Sequence, residues 1–245
     1  PEWRGGDPIS PSEPLDFSGP DTAIAVLMQD FRWGDSCMVV SRDRGCTWGP
    51  RYRIPKLAEL GAAIPRPGSK PGVGLLGRSD YDIEGPNTLN LFVTAEKRSG
   101  GEGRVVHLRT TDGGLSWSLQ GAVTADDFPP RTYAIMPSTI RLGPTELASA
   151  VRKQEAAEDD LPGTAKIEVY RSQDNGCTWT LVATPVVRPG TKGSPPSMNR
   201  LGDGRLVLTY AVRQIPAYVA ARISDDGGAT WGDEIVVRGG CPSWD

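Results

Sequence analysis

Ser172-Gln173-Asp174-Asn175-Gly176-Cys177-Thr178-Trp179 is the stretch whose reading decides the fold. The same phrase recurs three times, as Ser41-Arg42-Asp43-Arg44-Gly45-Cys46-Thr47-Trp48, Thr110-Thr111-Asp112-Gly113-Gly114-Leu115-Ser116-Trp117 and Ser224-Asp225-Asp226-Gly227-Gly228-Ala229-Thr230-Trp231. The shared pattern is hydroxyl, any, Asp, any, Gly, any, hydroxyl, Trp. It takes four of the chain's seven tryptophans, which marks it as one device used repeatedly. An Asp side chain accepts from backbone N–H groups just downstream and closes a turn. The Gly two residues on tolerates positive φ. The flanking hydroxyls hold the turn from both sides, and the Trp adds an apolar plate with one polar handle. These aspartates therefore read as structural.

Successive copies start 69, 62 and 52 residues apart, the length of a propeller blade or solenoid unit. The flanks read as strands. Ala23–Met28 and Cys37–Val40 precede the first turn. Arg78–Ile83, Leu89–Ala95 and Arg104–Arg109 precede the second, and a fourth strand runs to about Val123. The cycle recurs with Ser138–Leu142, Leu147–Val151 and Lys166–Tyr170, and again with Met198–Leu201, Leu206–Val212 and Val219–Ile223. Four strands in meander order, repeated, predict an all-β propeller of four-stranded antiparallel blades. Residues 1–21 read as an extended lead-in and 22–245 as the propeller domain. The chain is expected to cover about four blades and to be incomplete at its C-terminus.

The 245 residues include 30 Gly and 22 Pro, a turn-rich but globular composition. A net charge of −3 predicts no nucleic-acid partner. No apolar run approaches the roughly 20 residues of a membrane span. Cys37, Cys46, Cys177 and Cys241 lack close metal-ligand pairs and read as small turn residues rather than a disulfide framework. The single histidine, His107, sits in a predicted strand and reads as packed. No metal and no cofactor is expected. Compartment and oligomeric state stay open.

The repeated turn resembles the Asp-box, or BNR repeat, of the sialidase (neuraminidase) superfamily. Gly77-Arg78-Ser79-Asp80-Tyr81, Tyr133-Ala134-Ile135-Met136-Pro137-Ser138, Ala150-Val151-Arg152 and Ser194-Pro195-Pro196-Ser197-Met198 are similar to segments of a bacterial sialidase-like branch. The resemblance implies a sialidase-type propeller, six-bladed when complete.

In a propeller, ligands are expected on the face opposite the Trp-turns. The loops leading into inner strands and those following second strands meet there. That placement selects Arg78, Asp80, Tyr81, Arg131, Tyr133 and Ser194 from the first group. The second group supplies Asp30, Glu96, Arg152 and Arg213. Arginines clamp carboxylates bidentately, and carboxylates serve as acid or base at a glycosidic centre. Sialidases use an arginine triad, an Asp acid/base and a Tyr–Glu nucleophile pair. The resemblance therefore implies Arg78, Arg152 and Arg213 as carboxylate ligands, with Arg131 and Ser194 also binding substrate. It implies Asp80 as acid/base, Tyr133 or Tyr81 as nucleophile, and Glu96 as base. Tyr81 directly follows Asp80, so the two should point to opposite faces of a strand. Arg53-Ile54-Pro55 follows an Asp-box here, whereas the family signature places this tripeptide before the first one. The expected function is a sialidase-like exo-glycosidase binding a carboxylate-bearing carbohydrate. A non-catalytic glycan- or protein-binding propeller and a polysaccharide lyase are the alternatives.

Overall fold

Each Asp of the repeated phrase is caged by the hydroxyls around it. The computed structural model describes residues 7–28, 36–61, 74–97, 102–125, 128, 131–155, 164–187, 189–190 and 193–241. In the third copy Ser172 Oγ donates to Asp174 Oδ1 at 2.8 Å and accepts from Gly176 N–H at 2.8 Å. Asp174 also accepts from Thr178 N–H at 2.9 Å and from Thr178 Oγ1 at 2.6 Å. The other three copies repeat the set within about 0.1 Å, as the Thr/Ser hydroxyl bonds at 2.6 Å to Asp43, Asp112 and Asp226 illustrate. These donors favour the charged form, and they hold the carboxyls of Asp43, Asp174 and Asp226 down at about 2. The position between Asp and Gly is not free. Arg44, Gly113, Asn175 and Gly227 all take the left-handed conformation, at φ 58°, 69°, 55° and 70°. Trp179 and Trp231 close the turn by returning Nε1–H to the carbonyls of Gly176 and Gly228, each at 3.0 Å.

The clamped turns organise four sheets. Sheet one holds β1 (Ala23–Met28), β2 (Ser36–Ser41) and β3 (Tyr52–Arg53). Sheet two holds β4 (Leu75–Gly85), β5 (Thr88–Glu96), β6 (Glu102–Thr110) and β7 (Ser118–Ala122). Sheet three holds β8 (Tyr133–Arg141), β9 (Leu147–Gln154), β10 (Ala165–Ser172) and β11 (Thr180–Val187). Sheet four holds β12 (Ser197–Arg200), β13 (Leu206–Val212), β14 (Ala217–Ser224) and β15 (Ile235–Cys241). All neighbouring strands are antiparallel and consecutive. Each turn joins the third strand to the fourth in a four-stranded sheet, and β2 to β3 in sheet one.

Alternation along central strands sends successive side chains to opposite neighbours. On β5, Leu89, Leu91, Val93 and Ala95 face sheet one, while Phe92 packs with Val105, Ala134 and Val151 against sheet three. On β9, Leu147 and Val151 face sheet two, and Ala148 and Ala150 pack with Met198 and Leu208 of sheet four. Three apolar layers thus separate four sheets, which is the arrangement of a β-propeller. The predicted strands are all present. Inner strands β4 and β8 are longer than expected, since each carries a bulge that breaks its period. From Leu75 to Ser79, β4 advances four positions against two on β5. From Ile135 to Ser138, β8 advances three against two on β9. Residues 7–21, within the predicted lead-in, lie across the turn end. Ile9 pairs in parallel with Tyr52, and Leu15 N–H donates to the Gly113 carbonyl at 3.0 Å. Cys37, Cys46 and Cys177 are free thiols.

The third turn also docks sheet three on sheet two. A Cβ built on Gly176 would sit 2.1 Å from His107 Nδ1, and one on Gly121 of β7 would sit 2.4 Å from the Gly176 carbonyl. Glycine is required at 176 for its φ of 83° and for this approach. Gly176→Ala is therefore expected to cost about 3 kcal/mol or more by strain and overpacking. That corresponds to a fall in Tm of roughly 6–12 °C for a chain of this size. Adding His107→Ala should recover the steric share and leave the backbone share, a non-additivity that a double-mutant cycle measures. An unchanged Tm in the single variant would show that the turn does not dock as described. The caged aspartates carry a pH signature of their own. Their folded pKa lies below the ordinary 3.8, so their stabilisation is complete above about pH 4 and drains as pH falls through about 2. Acid melting curves should be shallower in that window for Asp174→Asn.

Candidate functional site

The meander fixes which residues share an end of the sheets. Second strands end, and inner strands begin, at the end away from the Trp-turns. Glu96 closes β5, Tyr133 opens β8 and Arg152 lies near the end of β9. Arg131 precedes β8, Ser194 precedes β12, and Arg213 follows β13. Arg78 stands in the bulged first half of β4. The candidates thus belong to three successive sheets. Asp30 lies outside the described residues.

A side-chain contact joins two of these residues, Arg152 and Tyr133. Arg152, 8% exposed, donates from Nη2 to the Tyr133 phenol oxygen at 3.1 Å, and its guanidinium carbon stands 5.6 Å from that ring's centroid. The phenol donates in turn to Gln154 Oε1. Arg152 Nη1 also meets Met136 Sδ at 3.6 Å. Cross-strand register accounts for the cluster, because Tyr133 pairs with Gln154 and Ile135 with Arg152. Met136, at φ 57°, forms the bulge beside them, and Pro137 follows it. A non-glycine residue before proline avoids helical conformations, so this backbone is held against its preference. Thr94 does the holding. Its Oγ1 accepts from Met136 N–H at 3.1 Å and donates to the Arg78 carbonyl at 3.1 Å, tying both bulges together.

Glu96 lies buried at the same end, 6% exposed. Its Oε1 has no hydrogen-bond partner among the described residues. Arg104 donates Nε–H to the Glu96 backbone carbonyl at 2.6 Å. Desolvation lifts the carboxyl to about 7, against a smaller opposing pull from the Arg104 charge. Lys97 turns away and donates Nζ–H to the Thr132 carbonyl at 2.6 Å, and burial pushes its ammonium down. A Cβ on Gly103 would touch both the Lys97 side chain and Tyr133 Cβ, so Lys97 and Tyr133 flank one backbone.

Asp80 occupies the seam between sheets two and three. Its Oδ2 accepts from Thr139 N–H at 2.6 Å and its Oδ1 from Tyr81 N–H at 2.9 Å. Burial raises its pKa, and the two N–H donors oppose the rise. Tyr81 points to the other face and packs into the layer against sheet one. Asp80 and Tyr81 therefore do not share a surface. Arg131 is exposed and left-handed, at φ 68°. Ser194 is 2% exposed, with no partner for Oγ among the described residues. Arg213 N–H donates to the Pro189 carbonyl at 2.9 Å, which anchors the chain leading toward β12.

Sequence reasoning missed Gln154, Thr94 and Met136. Only the pairing of Tyr133 with Gln154 exposes the first. The Met136-Pro137 dipeptide carries a weak signal for the third, since the residue before proline is conformationally restricted.

No family model and no curated protein matches this chain. Solved structures do. A Dyadobacter fermentans protein of unknown function aligns at 22% identity over 92% of this chain, with a TM-score of 0.62. The α-L-arabinofuranosidase Arb93A of Fusarium graminearum aligns at 14% identity over 92% of the chain, with a TM-score of 0.57. The NanB sialidase of Streptococcus pneumoniae aligns at 15% over 83%, with a TM-score of 0.52. The chain spans 64%, 65% and 29% of those three proteins respectively. Likeness at such identities is one of fold, a β-propeller of the sialidase type.

The raised Glu96 carboxyl makes stability depend on pH in a stated direction. Below about 4.5 both folded and unfolded chains hold the proton. Between 4.5 and about 7 only the unfolded chain ionises, so stability falls as pH rises through that window and levels off above it. Glu96→Gln should flatten the Tm profile between pH 5 and 8 and raise Tm at pH 8. A profile identical to wild type would place the carboxyl in water.

Proposed function

We propose that this chain belongs to the Asp-box sialidase superfamily and acts as a sialidase-like glycoside hydrolase on an acidic sugar, at the end of the sheets opposite the Trp-turns. The observation that carries this reading is the Arg152–Tyr133 contact, at the same end of the sheets as Glu96. Arg152 has a fixed donor on the phenol oxygen, so negative charge developing there has a partner already in place. Glu96, with a pKa of about 7, exchanges a proton readily at neutral pH, which suits a general base. In this scheme Tyr133 attacks the anomeric carbon, Glu96 takes the phenolic proton, and Asp80, raised by burial, protonates the leaving oxygen. Arg78, Arg152 and Arg213 gather the substrate carboxylate, with Arg131 and Ser194 at the margin. Four turns with one hydrogen-bond set support the superfamily assignment.

A second reading has its own support. Both oxygens of Asp80 are engaged by backbone N–H groups, and the Tyr133 hydroxyl is engaged by Gln154 and Arg152. A site so fully bonded suits a non-catalytic propeller that binds a glycan.

Assaying the chain with a fluorogenic sialoside and with an aryl arabinofuranoside separates these. The hydrolase reading expects turnover of the sialoside, lost in Tyr133→Phe and reduced by about 10²-fold or more in Glu96→Gln. Arg152→Lys should raise KM, because an ammonium lacks the bidentate fork. Turnover of the arabinofuranoside alone would remove the acidic-sugar claim. Calorimetric binding without turnover of either substrate would select the second reading.

A further inference from the structure

The chain has four asparagines, and only Asn175 is followed by glycine. Asparagine is a thermolabile residue, and glycine after it is the most permissive neighbour. The glycine nitrogen, with no Cβ beside it, can reach the Asn side-chain carbonyl carbon. Asn175 occupies the left-handed tip of the third Trp-turn, the place held by Arg44, Gly113 and Gly227 in the other three. None of those carries a side-chain amide, so this chemistry is confined to one turn. It is the turn that docks sheet three on sheet two, through Gly176 against His107.

The closed turn commits the two reacting groups to different partners. Gly176 N–H donates to Ser172 Oγ at 2.8 Å, in a buried bond. The Asn175 amide is held elsewhere, with Oδ1 accepting from Arg141 Nη2 at 3.0 Å and Nδ2 reaching Glu84 Oε2 at 3.5 Å. Asn175 N–H is fixed on the Thr145 carbonyl at 2.8 Å. Arg141 draws electron density from the amide carbonyl, so the block is positional and not electronic. Bringing the Gly176 nitrogen onto Asn175 Cγ takes rotation about the Asn175 Cα–C bond. That rotation breaks the Ser172 bond and lifts Gly176 from His107.

We propose that Asn175-Gly176 is a modification site gated by the third turn, inert while the turn is closed and converted to isoaspartate, which cannot close again, once it opens. In the open turn the Gly176 nitrogen gives its proton to solvent base and bonds to Asn175 Cγ. The Cγ–Nδ2 bond breaks and Nδ2 leaves as ammonia, which produces a cyclic succinimide. Water then opens the ring at either carbonyl. One opening gives ordinary aspartate, and the other leaves the main chain running through Cβ and Cγ as isoaspartate. The net change is one water in and one ammonia out, with no oxidant or reductant.

The two products differ in whether the cage re-forms. The Ser172–Gly176 bond and both Asp174–Thr178 bonds straddle the 175–176 peptide. Isoaspartate puts an extra main-chain atom inside the span those bonds bridge. The dock has no slack to absorb it, since a Cβ on Gly176 would already lie 2.1 Å from His107 Nδ1 and one on Gly121 2.4 Å from the Gly176 carbonyl. Ordinary aspartate keeps the main-chain length, and its carboxylate meets Arg141. A transient opening is thus turned into a lasting loss of contact between sheets two and three. No residue of the proposed hydrolytic site takes part, so this inference stands or falls apart from that reading.

The test incubates the full chain for weeks at mildly alkaline pH beside a synthetic peptide of residues 170–181. Conversion at Asn175 is read by proteolytic mass spectrometry, and isoaspartate by its specific enzymatic methylation. The native chain is expected to convert at least about tenfold more slowly than the peptide, because local opening limits the reaction. Ser172→Ala orphans the buried Gly176 N–H and should speed conversion by about tenfold. Thr178→Ala trims the cage from its exposed side and should act in the same direction, which keeps the test decisive if Ser172→Ala does not fold. Asn175→Gly should convert nothing and keep the turn, since glycine holds this place at 113 and 227. Amide hydrogen exchange supplies a second readout. Gly176 N–H is expected to stay protected in Asn175→Asp and to lose protection in chains isolated after isoaspartate has formed. Conversion of the native chain at the peptide's rate, no acceleration in the folded variants, or a Gly176 amide still protected beside isoaspartate would overturn the proposal.

Discussion

A carboxylate surrounded by hydroxyl and amide donors is what the architecture hangs on. A turn with two successive left-handed residues is poor on backbone terms when the first is Arg44 or Asn175. Asp43 and Asp174 make it stable by accepting three bonds each from groups within four residues. The cage is local, so every turn forms without help from distant chain. It also sets direction, because the tip residue's N–H reaches back to the start of its own sheet. Asn175 N–H donates to the Thr145 carbonyl in the β8–β9 turn, and Gly113 N–H to the Asn87 carbonyl in the β4–β5 turn. These two clamps thereby close their sheets along one edge.

Between sheets two and three the clamp meets a polar seam. Asp82 takes two bonds from Arg141 across the interface, at 2.8 and 2.9 Å, while Arg109 and Arg141 both address Glu84. Asn90 donates to Asp82 and Glu84, which leaves its carbonyl oxygen facing His107 Nε2 at 2.9 Å. That commitment places the imidazole proton on Nε2. His107 stacks on Phe92 with centroids 4.5 Å apart and is held near a pKa of about 4, first by burial. A buried network that pairs charges across both sheets resists sliding, since any other register leaves those charges unpaired. The apolar layers supply attraction between sheets, and the seam fixes the angle at which they meet.

The fold was legible because its evidence is local. Hydroxyl, Asp, Gly and Trp within eight residues carry the turn, and the spacing of the copies carries the blade. What stayed hidden depends on partners far along the chain. Asp80 and Tyr81 are adjacent letters, and their alternation was foreseeable. That Asp80 would receive Thr139 N–H, 59 positions away, was not. Arg152 was chosen by its place in the repeat, yet its contact with Tyr133 depends on the register of β8 against β9. The bulge that sets this register is announced only weakly, by the Met136-Pro137 dipeptide.

The two bulges explain why the mouth differs from the rest of each sheet. A regular inner strand would point one row of side chains at each neighbour for its whole length. Inserting residues between Leu75 and Ser79, and between Ile135 and Ser138, re-aims the first half of β4 and β8 while the second half stays in register with the core. Thr94 holds both insertions with one hydroxyl, accepting from Met136 and donating to Arg78. The left-handed backbone at Met136 is costly, and residues so placed persist only where the surroundings over-determine them. Here the over-determination comes from Thr94 on one side and from Arg152 against the Met136 sulfur on the other. The clamped turns therefore leave the far end of each sheet free to depart from ideal geometry. The departure occurs in the two inner strands that carry Arg78 and Tyr133, so rigidity at one face is what permits a shaped surface at the other.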